Sequence, residues 1–121
     1  MKYYIIILII VISSMLLKTT NTRDDDIRKL VRQTARWAVA SQQDKSPLIQ
    51  NLHFGYCVGY WWSIKEIYSD EEIERASNIN IKEFEKRLLI LQDKITKNLM
   101  KVCPMFSGDI DKYLAKVSGN I

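Results

Sequence analysis

Uncharged, mostly aliphatic side chains run without interruption from Tyr3 to Leu17, and the only charged side chain before them is that of Lys2. So contiguous an apolar run does not suit a helix that faces water, and it predicts a segment that enters a bilayer. A helix of that length reaches about 22 Å, which is less than the hydrocarbon core of about 30 Å. The ammonium groups of Lys2 and Lys18 can extend to the two interfaces, so a locally thinned bilayer could be spanned. We therefore expect residues 1–20 to form a membrane anchor or a signal segment.

Two interpretations of this segment stay open. In the first it remains in the chain as a single-pass anchor, and in the second it is a secretory signal that is removed. Signal peptidase requires small residues one and three positions before the cut, and Thr20 with Thr22, or the pair Ser13 and Ser14, are poor candidates. The anchor is therefore favoured. The basic residues that follow the segment favour a cytoplasmic position for an anchored domain, whereas a cleaved signal would place the domain outside.

Beyond residue 20 the apolar positions recur every three or four residues, which is the period of an amphipathic helix. Capping residues and Pro47 mark the starts of these helices, and the chain has few other glycines or prolines to interrupt them. The sequence therefore predicts an all-α protein, in which residues 21–121 form a small bundle of about four to five helices behind the hydrophobic membrane helix. The predicted helices are 26–42, 48–68, 70–77, 81–102 and a last short helix that starts at Ser107 or Asp109 and reaches Val117.

The capping signals differ in strength. Three consecutive aspartates at 24–26 offer an N-cap and favourable charge to the first bundle helix. Ser69 with Glu72, and Asn80 with Glu83, have the spacing of capping boxes, in which each side chain bonds to the other residue's backbone N–H. Ser46 precedes Pro47 as the expected cap of the second helix.

The second bundle helix contains Gly55 and Gly59, with Ser63 one turn further on. A glycine inside a helix costs about 1 kcal/mol relative to alanine, so two of them four residues apart need a reason. Close packing against small residues of the first helix provides one. We expect the glycines to face Ala35, Ala38 and Ser41 on that helix.

The same helix carries a cluster of aromatic residues at Tyr60, Trp61 and Trp62. Adjacent helical side chains diverge by about 100°, so the two tryptophans cannot both enter one core. At least one should lie at an exposed or boundary position, and exposed aromatic residues tend to mark contact sites. We interpret these three residues, with Gly55 and Gly59, as interaction candidates whose partner is another protein, a second copy in a homo-oligomer, or the membrane.

The net charge of +4, from 18 basic and 14 acidic residues, requires neither nucleic acid nor anionic lipid as a partner. Nucleic acid is not expected, because the helix that starts at Ile81 begins with carboxylates that would repel phosphates. Basic residues that line one side of the first bundle helix are candidates for lipid-headgroup contact, since they follow the apolar segment. These lipid-headgroup candidates are Arg28, Lys29, Arg32 and Arg36.

Cys57 and Cys103 would form a disulfide in an oxidising compartment and would remain two buried thiols in the cytosol. The only histidine, His53, is interpreted as a polar residue at the edge of the core. No metal-ligand cluster, phosphate-binding loop or acid–base pair can be named from the sequence. We therefore expect a protein that is not an enzyme and that holds no cofactor or metal.

One resemblance covers part of the chain. The stretch WAVASQQDKSPLIQNLHFGYCVGYWW, from Trp37 to Trp62, and the stretch SDEEIERASNINIKEFEKRL, from Ser69 to Leu88, resemble small helical proteins encoded by large DNA viruses and marine viral genomes. The resemblance implies a viral origin and an association with virion or host membranes. It implies no activity and no site residues.

The function that these patterns favour is that of a non-enzymatic, single-pass, membrane-tethered interaction or structural protein of a host or virion membrane. The alternative is a secreted or luminal helical binding module, whose signal segment is cleaved and whose Cys57 and Cys103 form a disulfide.

Overall fold

The computed structural model describes residues 2–103 and Val117, and this part of the chain forms four α-helices and no β-strand. The all-α class, with a long apolar N-terminal helix and a small helical bundle, is therefore confirmed. The last short helix expected from the sequence lies outside the described residues, apart from Val117. The helices are α1 (Lys2–Gln43), α2 (Pro47–Ile67), α3 (Asp70–Ser77) and α4 (Ile81–Val102).

α1 is continuous from the apolar segment into the bundle, so the expectation of a separate helix that starts near Asp26 was wrong. The stretch between Leu17 and Ile27 contains no glycine or proline that would interrupt the helix. The hydroxyl groups of Thr19, Thr20 and Thr22 each donate to the carbonyl oxygen four residues earlier, at 3.0 Å. Both apolar and polar stretches thus favour the same helix, and its 42 residues reach about 63 Å.

The aspartates at 24–26 consequently cap no helix, and they form ion pairs instead. Asp24 accepts a hydrogen bond from Arg75 of α3 at 3.2 Å. Asp25 pairs with Arg28, and Asp26 lies 4.0 Å from the ammonium group of Lys29. The first of these pairs joins two helices, and the other two stay within α1.

The bundle is held by two apolar clusters along the α1–α2 interface, in which α4 takes part. We call the cluster nearer the apolar segment the proximal core and the other the distal core. Because both α1 and α4 pass from the first cluster to the second while α2 passes back, α1 and α4 run in the same direction and α2 is antiparallel to them. The proximal core comprises Ile27, Val31, Trp61, Ile64, Ile73, Ala76 and Ile81, and the distal core comprises Ala38, Phe54, Cys57, Leu91 and Ile95.

Several small residues of α1 are buried in the bundle. Thr34, Ala38 and Ser41 are buried there, and the two hydroxyl groups donate to carbonyl oxygens of their own helix, Leu30 at 3.0 Å and Ala38 at 2.7 Å. Burial of these polar side chains therefore leaves no hydroxyl without a partner. Ala38 and Ser41 are buried and Ala35 is half-buried, but the glycines of α2 are not their partners.

Gly55 and Gly59 do not face α1, so the expectation that they form a packing groove against it was wrong. Both are exposed, and a Cβ atom added to either would meet no atom within 4 Å. The physical reason is the register of α2. At about 100° per residue, its buried residues Phe54 and Trp61 fix a core face that lies opposite the glycines and Ser63.

The caps of the shorter elements are largely as the sequence predicts. Ser69 and Glu72 form both bonds of a capping box at the start of α3, and Asn78 ends α3 in the left-handed conformation, with φ 54°. Asn80 accepts from the backbone N–H of Glu83 at 2.9 Å to begin α4. Glu83 instead pairs its side chain with Arg87, so only half of that capping box forms. Ser46 precedes α2 but makes no side-chain cap bond.

A clamp on the proximal side of the bundle joins α1 to the corner between α2 and α3. Arg23 donates through Nε and Nη2 to the two carboxylate oxygens of Glu72, at 2.8 Å and 3.3 Å. Its guanidinium group also lies over the ring of Tyr68, 4.7 Å from the centroid. A bidentate pair with a stacked ring fixes an orientation as well as a distance. The hydrogen bonds from Arg23, with a further one from the Ser69 backbone, lower the pKa of Glu72 to about 2.

This clamp predicts a loss of stability in acid. The pKa of Glu72 is lowered from 4.5 on folding, so its contribution is complete above about pH 4.5, declines as the pH falls toward 2, and is absent below that. We expect Glu72→Gln to reduce the drop in unfolding midpoint between pH 6 and pH 3, measured by denaturant titration of the detergent-solubilised chain. Glu71→Gln is the matched control, because this neighbouring glutamate is exposed. An equal acid sensitivity of the Glu72→Gln variant and the unmodified chain would contradict the clamp.

Candidate functional site

The N-terminal part of α1 is fully exposed and packs against no other helix of the described chain. Every residue from Lys2 to Thr22 is exposed, and the most apolar window of α1 has a mean hydropathy of 1.9 with none of it buried. α1 is therefore long and apolar enough to cross a membrane by length and composition. The same description fits a signal sequence near the N-terminus. It does not fit a core helix of this bundle, because a core helix would be buried.

Four hydroxyl groups in this region are satisfied within the helix. Ser14 donates to the carbonyl oxygen of Ile10 at 2.8 Å. Each of the threonines at 19, 20 and 22 likewise donates to the carbonyl oxygen four residues before it. A hydroxyl bonded to its own helix costs much less to place in hydrocarbon than a free one. From Tyr3 to Leu17 no side chain is charged, and this stretch reaches about 22 Å, so the hydrocarbon of a locally thinned bilayer would end near Leu17.

The basic side of α1 is exposed, as the sequence suggests, but it is partly neutralised. Arg28 pairs with Asp25 and also donates to the carbonyl oxygen of Ala76 at 3.4 Å. Lys29 lies near Asp26, whereas Arg32 and Arg36 form no ion pair among the described residues. At 1.5 Å per residue, these cations lie between about 16 Å and 28 Å beyond Leu17 along α1.

A largely apolar groove of about 270 Å³ runs between α2 and α4 on the side away from α1. Trp62 stands at this groove with 62% of its surface exposed, and Leu89 of α4 is exposed to the same degree, at 63%. Such adjacent exposed apolar side chains are typical of a protein contact surface. The residues that line the groove are Phe54, Val58, Trp61, Trp62, Glu85, Leu88, Leu89 and Gln92.

Trp61 forms the floor of this groove and is only 5% exposed, so of the two adjacent tryptophans Trp62 is the exposed one, as expected for at least one of them. The ring of Trp61 packs against Phe84 of α4, with centroids 4.9 Å apart, and its indole N–H donates to Glu85 at 3.2 Å. The ammonium group of Lys65 lies 2.7 Å from a carboxylate oxygen of Asp70 and 3.2 Å from one of Glu85. These two carboxylates raise the pKa of Lys65 above its ordinary value. No sequence spacing indicates this polar cluster, because it joins α2, α3 and α4.

Tyr60 lies on the outer face of α2, together with the two glycines. Gly55, Gly59 and Tyr60 line a shallow open surface with Tyr56 and Ser63, and the Ser63 hydroxyl donates to the Gly59 carbonyl at 2.7 Å. This surface is separate from the groove that contains Trp62. The structure thus divides the five interaction candidates among the core, the groove and an outer face.

Cys57 and Cys103 are free thiols in the structure, with Cys57 buried and Cys103 half-buried. Cys57 lies in the distal core with Ile95, and Cys103 follows eight residues later at the end of α4, about 12 Å further along the helix axis. Burial raises the pKa of the Cys57 thiol to about 11, which keeps it protonated and unreactive near neutral pH.

His53 lies at the edge of the distal core, where the sequence placed it. Its Nδ1 atom is 2.5 Å from a carboxylate oxygen of Asp44, and its ring packs 5.2 Å from that of Trp37. Tyr56 completes this stack, 4.8 Å from the same indole ring. The contact between His53 and Asp44 joins α2 to the turn that follows α1. Among residues 2–103 and Val117, no three His, Cys, Asp or Glu side chains are grouped in a way that could hold a metal ion.

Comparison of the chain with protein-family models, with curated proteins and with solved structures gives no match. The resemblance to proteins of large DNA viruses therefore stays a prediction.

The adjacent tryptophans provide a test of the groove. Trp61→Ala removes a buried ring and leaves Glu85 without its indole partner, so we expect the free energy of unfolding to fall by about 3–5 kcal/mol. Trp62→Ala removes a mostly exposed ring, and we expect a change of less than about 1 kcal/mol. Denaturant unfolding followed by far-ultraviolet circular dichroism measures both. Equal losses would mean that Trp62 also belongs to the core.

Proposed function

We propose that this chain is a non-enzymatic, single-pass membrane protein whose helical bundle is held at a fixed height above the bilayer and presents the groove at Trp62 to a protein partner. The observation that carries the proposal is the continuity of α1, which joins an exposed apolar segment to the bundle without a flexible linker. A linker of random coil would leave the height of the bundle undefined. A helix fixes it.

The length of the apolar segment supports an upright helix. A segment no longer than the hydrocarbon core does not need to tilt, because tilting would shorten its reach further. With the hydrocarbon edge near Leu17, the headgroup layer ends about 5–7 Å further along α1. The basic residues at 28–36 lie well above that layer, at more than a Debye length of about 8 Å. Contact with headgroups through Arg28, Lys29, Arg32 and Arg36 is therefore not part of the proposal.

The distance from Leu17 along α1 also decides which partner the aromatic residues can contact. Trp61 lies in one cluster with Val31, which is about 21 Å beyond Leu17 along α1. Trp62 is its neighbour, so its ring lies at a similar height and cannot reach the bilayer. A protein surface, from another protein or a second copy, is the partner that this position favours. Glu85 and Gln92 give the groove a polar border, which is typical of a contact site between proteins.

The proposal and the secreted alternative differ in whether the mature chain keeps residues 1–20. The anchored chain and the secreted module therefore differ in mass. The proposal requires that the mature chain retain residues 1–20, which intact-mass measurement of the expressed protein detects. A mature protein that begins near Thr22 and has lost two hydrogens would instead support the secreted module.

Insertion of the apolar segment into a bilayer can be tested by placing a charged residue within the segment. We expect the full-length chain to stay with phospholipid vesicles through flotation after an alkaline carbonate wash. Ile9→Lys puts an ammonium group at the middle of the segment, at a cost of about 3 kcal/mol, and should release much of the protein. Val39→Lys adds the same charge to an exposed apolar position in the same helix, and should leave flotation unchanged. Complete release of the unmodified chain would overturn the tethering.

The height of the bundle can be tested with brominated phospholipids, which quench tryptophan on contact. Trp37, Trp61 and Trp62 all lie about 20 Å or more beyond Leu17, so we expect their emission in vesicles to be unaffected. Tyr4→Trp introduces an indole at the membrane segment and should produce quenching. Strong quenching of the unmodified chain would show that the bundle lies on the bilayer.

A further inference from the structure

A shallow, largely open crevice lies where α1 passes the corner between α2 and α3, immediately beyond the apolar segment. Its volume is about 440 Å³. The first lining residue, Lys18, directly follows Leu17, and the last, Asp26, lies about 14 Å beyond Leu17 along α1. The crevice therefore begins at the height of the headgroup layer in the proposed membrane orientation. Its lining residues are Lys18, Thr19, Thr22, Arg23, Asp26 and Tyr68.

At the end of the crevice nearer the apolar segment, Lys18 carries an uncompensated positive charge, whereas the charge of Arg23 is balanced by Glu72. Lys18 is exposed and forms no ion pair within residues 2–103. Arg23 uses two of its five N–H groups on Glu72, which leaves the others available to a further acceptor. The one carboxylate in the lining, that of Asp26, lies at the far end, about 12 Å from Lys18 along the axis, and is 4.0 Å from Lys29.

The cation at Arg23 is held in place before any ligand arrives. Glu72 binds it through two hydrogen bonds, and the Tyr68 ring lies beneath its guanidinium group at 4.7 Å. Glu72 is itself fixed by the capping box of α3, because it accepts from the backbone N–H of Ser69 at 3.0 Å. A preorganised donor loses less entropy on binding an anion than a free side chain does.

We propose that this crevice binds the phosphodiester group of a membrane phospholipid, through the ammonium group of Lys18 and the remaining N–H groups of Arg23. The inference rests on the proposed function, because only a chain that spans the bilayer brings the crevice to headgroup height. Arginine and lysine are the side chains that bind phosphate best, and here they flank the start of the aqueous part of α1. Such a contact would fix the depth of the segment in the bilayer.

The test uses the full-length chain, freed of lipid in maltoside micelles and titrated with dioleoylphosphatidylcholine. Native mass spectrometry counts the lipids that each chain retains. We expect one phospholipid to be retained per chain, and Lys18→Gln to weaken its binding about fivefold, as expected for the loss of one exposed charge-assisted contact. The matched control is Lys45→Gln, which removes the same charge from an exposed position at the far end of the bundle and should bind as the unmodified chain does.

Three outcomes would overturn the crevice as a phospholipid site. Equal binding by Lys18→Gln and Lys45→Gln would show that Lys18 takes no part. Equal retention of dioleoylglycerol, which lacks the phosphate, would show that the phosphodiester is not recognised. Displacement of the lipid by an equal concentration of inorganic phosphate would assign the site to free phosphate. These outcomes are separate from vesicle flotation, so failure of the crevice and failure of the tethering can be distinguished.

Discussion

The constraint on which the structure depends is the unbroken backbone hydrogen bonding of α1. One helix contains the apolar segment, the charged stretch after it and the face that closes both cores. Since a helix rises by a fixed amount per residue, each position in the bundle has a defined distance from Leu17. In the proposed membrane orientation, that distance decides which side chains can contact lipid. It places the basic residues at 28–36 beyond the headgroup layer and the surroundings of Lys18 within it.

Apolar and polar interactions have different roles in this bundle. The stabilising free energy comes chiefly from buried side chains such as Ile27 and Ile64, which are worth about 1.5–3 kcal/mol each. The ion pairs are largely exposed, and exposed pairs contribute little to stability. Arg23 with Glu72 and Asp24 with Arg75 matter because they join α1 to α3 and set the orientation of the corner below the proximal core.

The proposed function needs no reactive group from the described residues. Cys57 is protonated in the distal core, His53 is engaged with Asp44, and Glu85 is occupied by Trp61 and Lys65. What the bundle offers to a partner is shape: a groove whose floor is fixed by a hydrogen-bonded tryptophan and whose border carries an exposed one. A rigid floor reduces the cost of ordering side chains when a partner binds.

The sequence by itself determined the helical class, the apolar segment and the bounds of α3 and α4, because these depend on local capping and on periodicity along one helix. It also determined that Trp61 and Trp62 point in different directions. Only the tertiary structure decided which of them is buried, that the glycines of α2 face outward, and that Cys57 lies in the distal core. Each of these depends on which face of α2 meets α1 and α4, and that choice is made by packing between helices. The sequence also missed the continuity of α1. An aspartate triplet can cap the start of a helix, or it can lie inside a helix and form ion pairs. One partner of the triplet, Arg75, belongs to another helix, so the sequence of α1 alone does not reveal that pair.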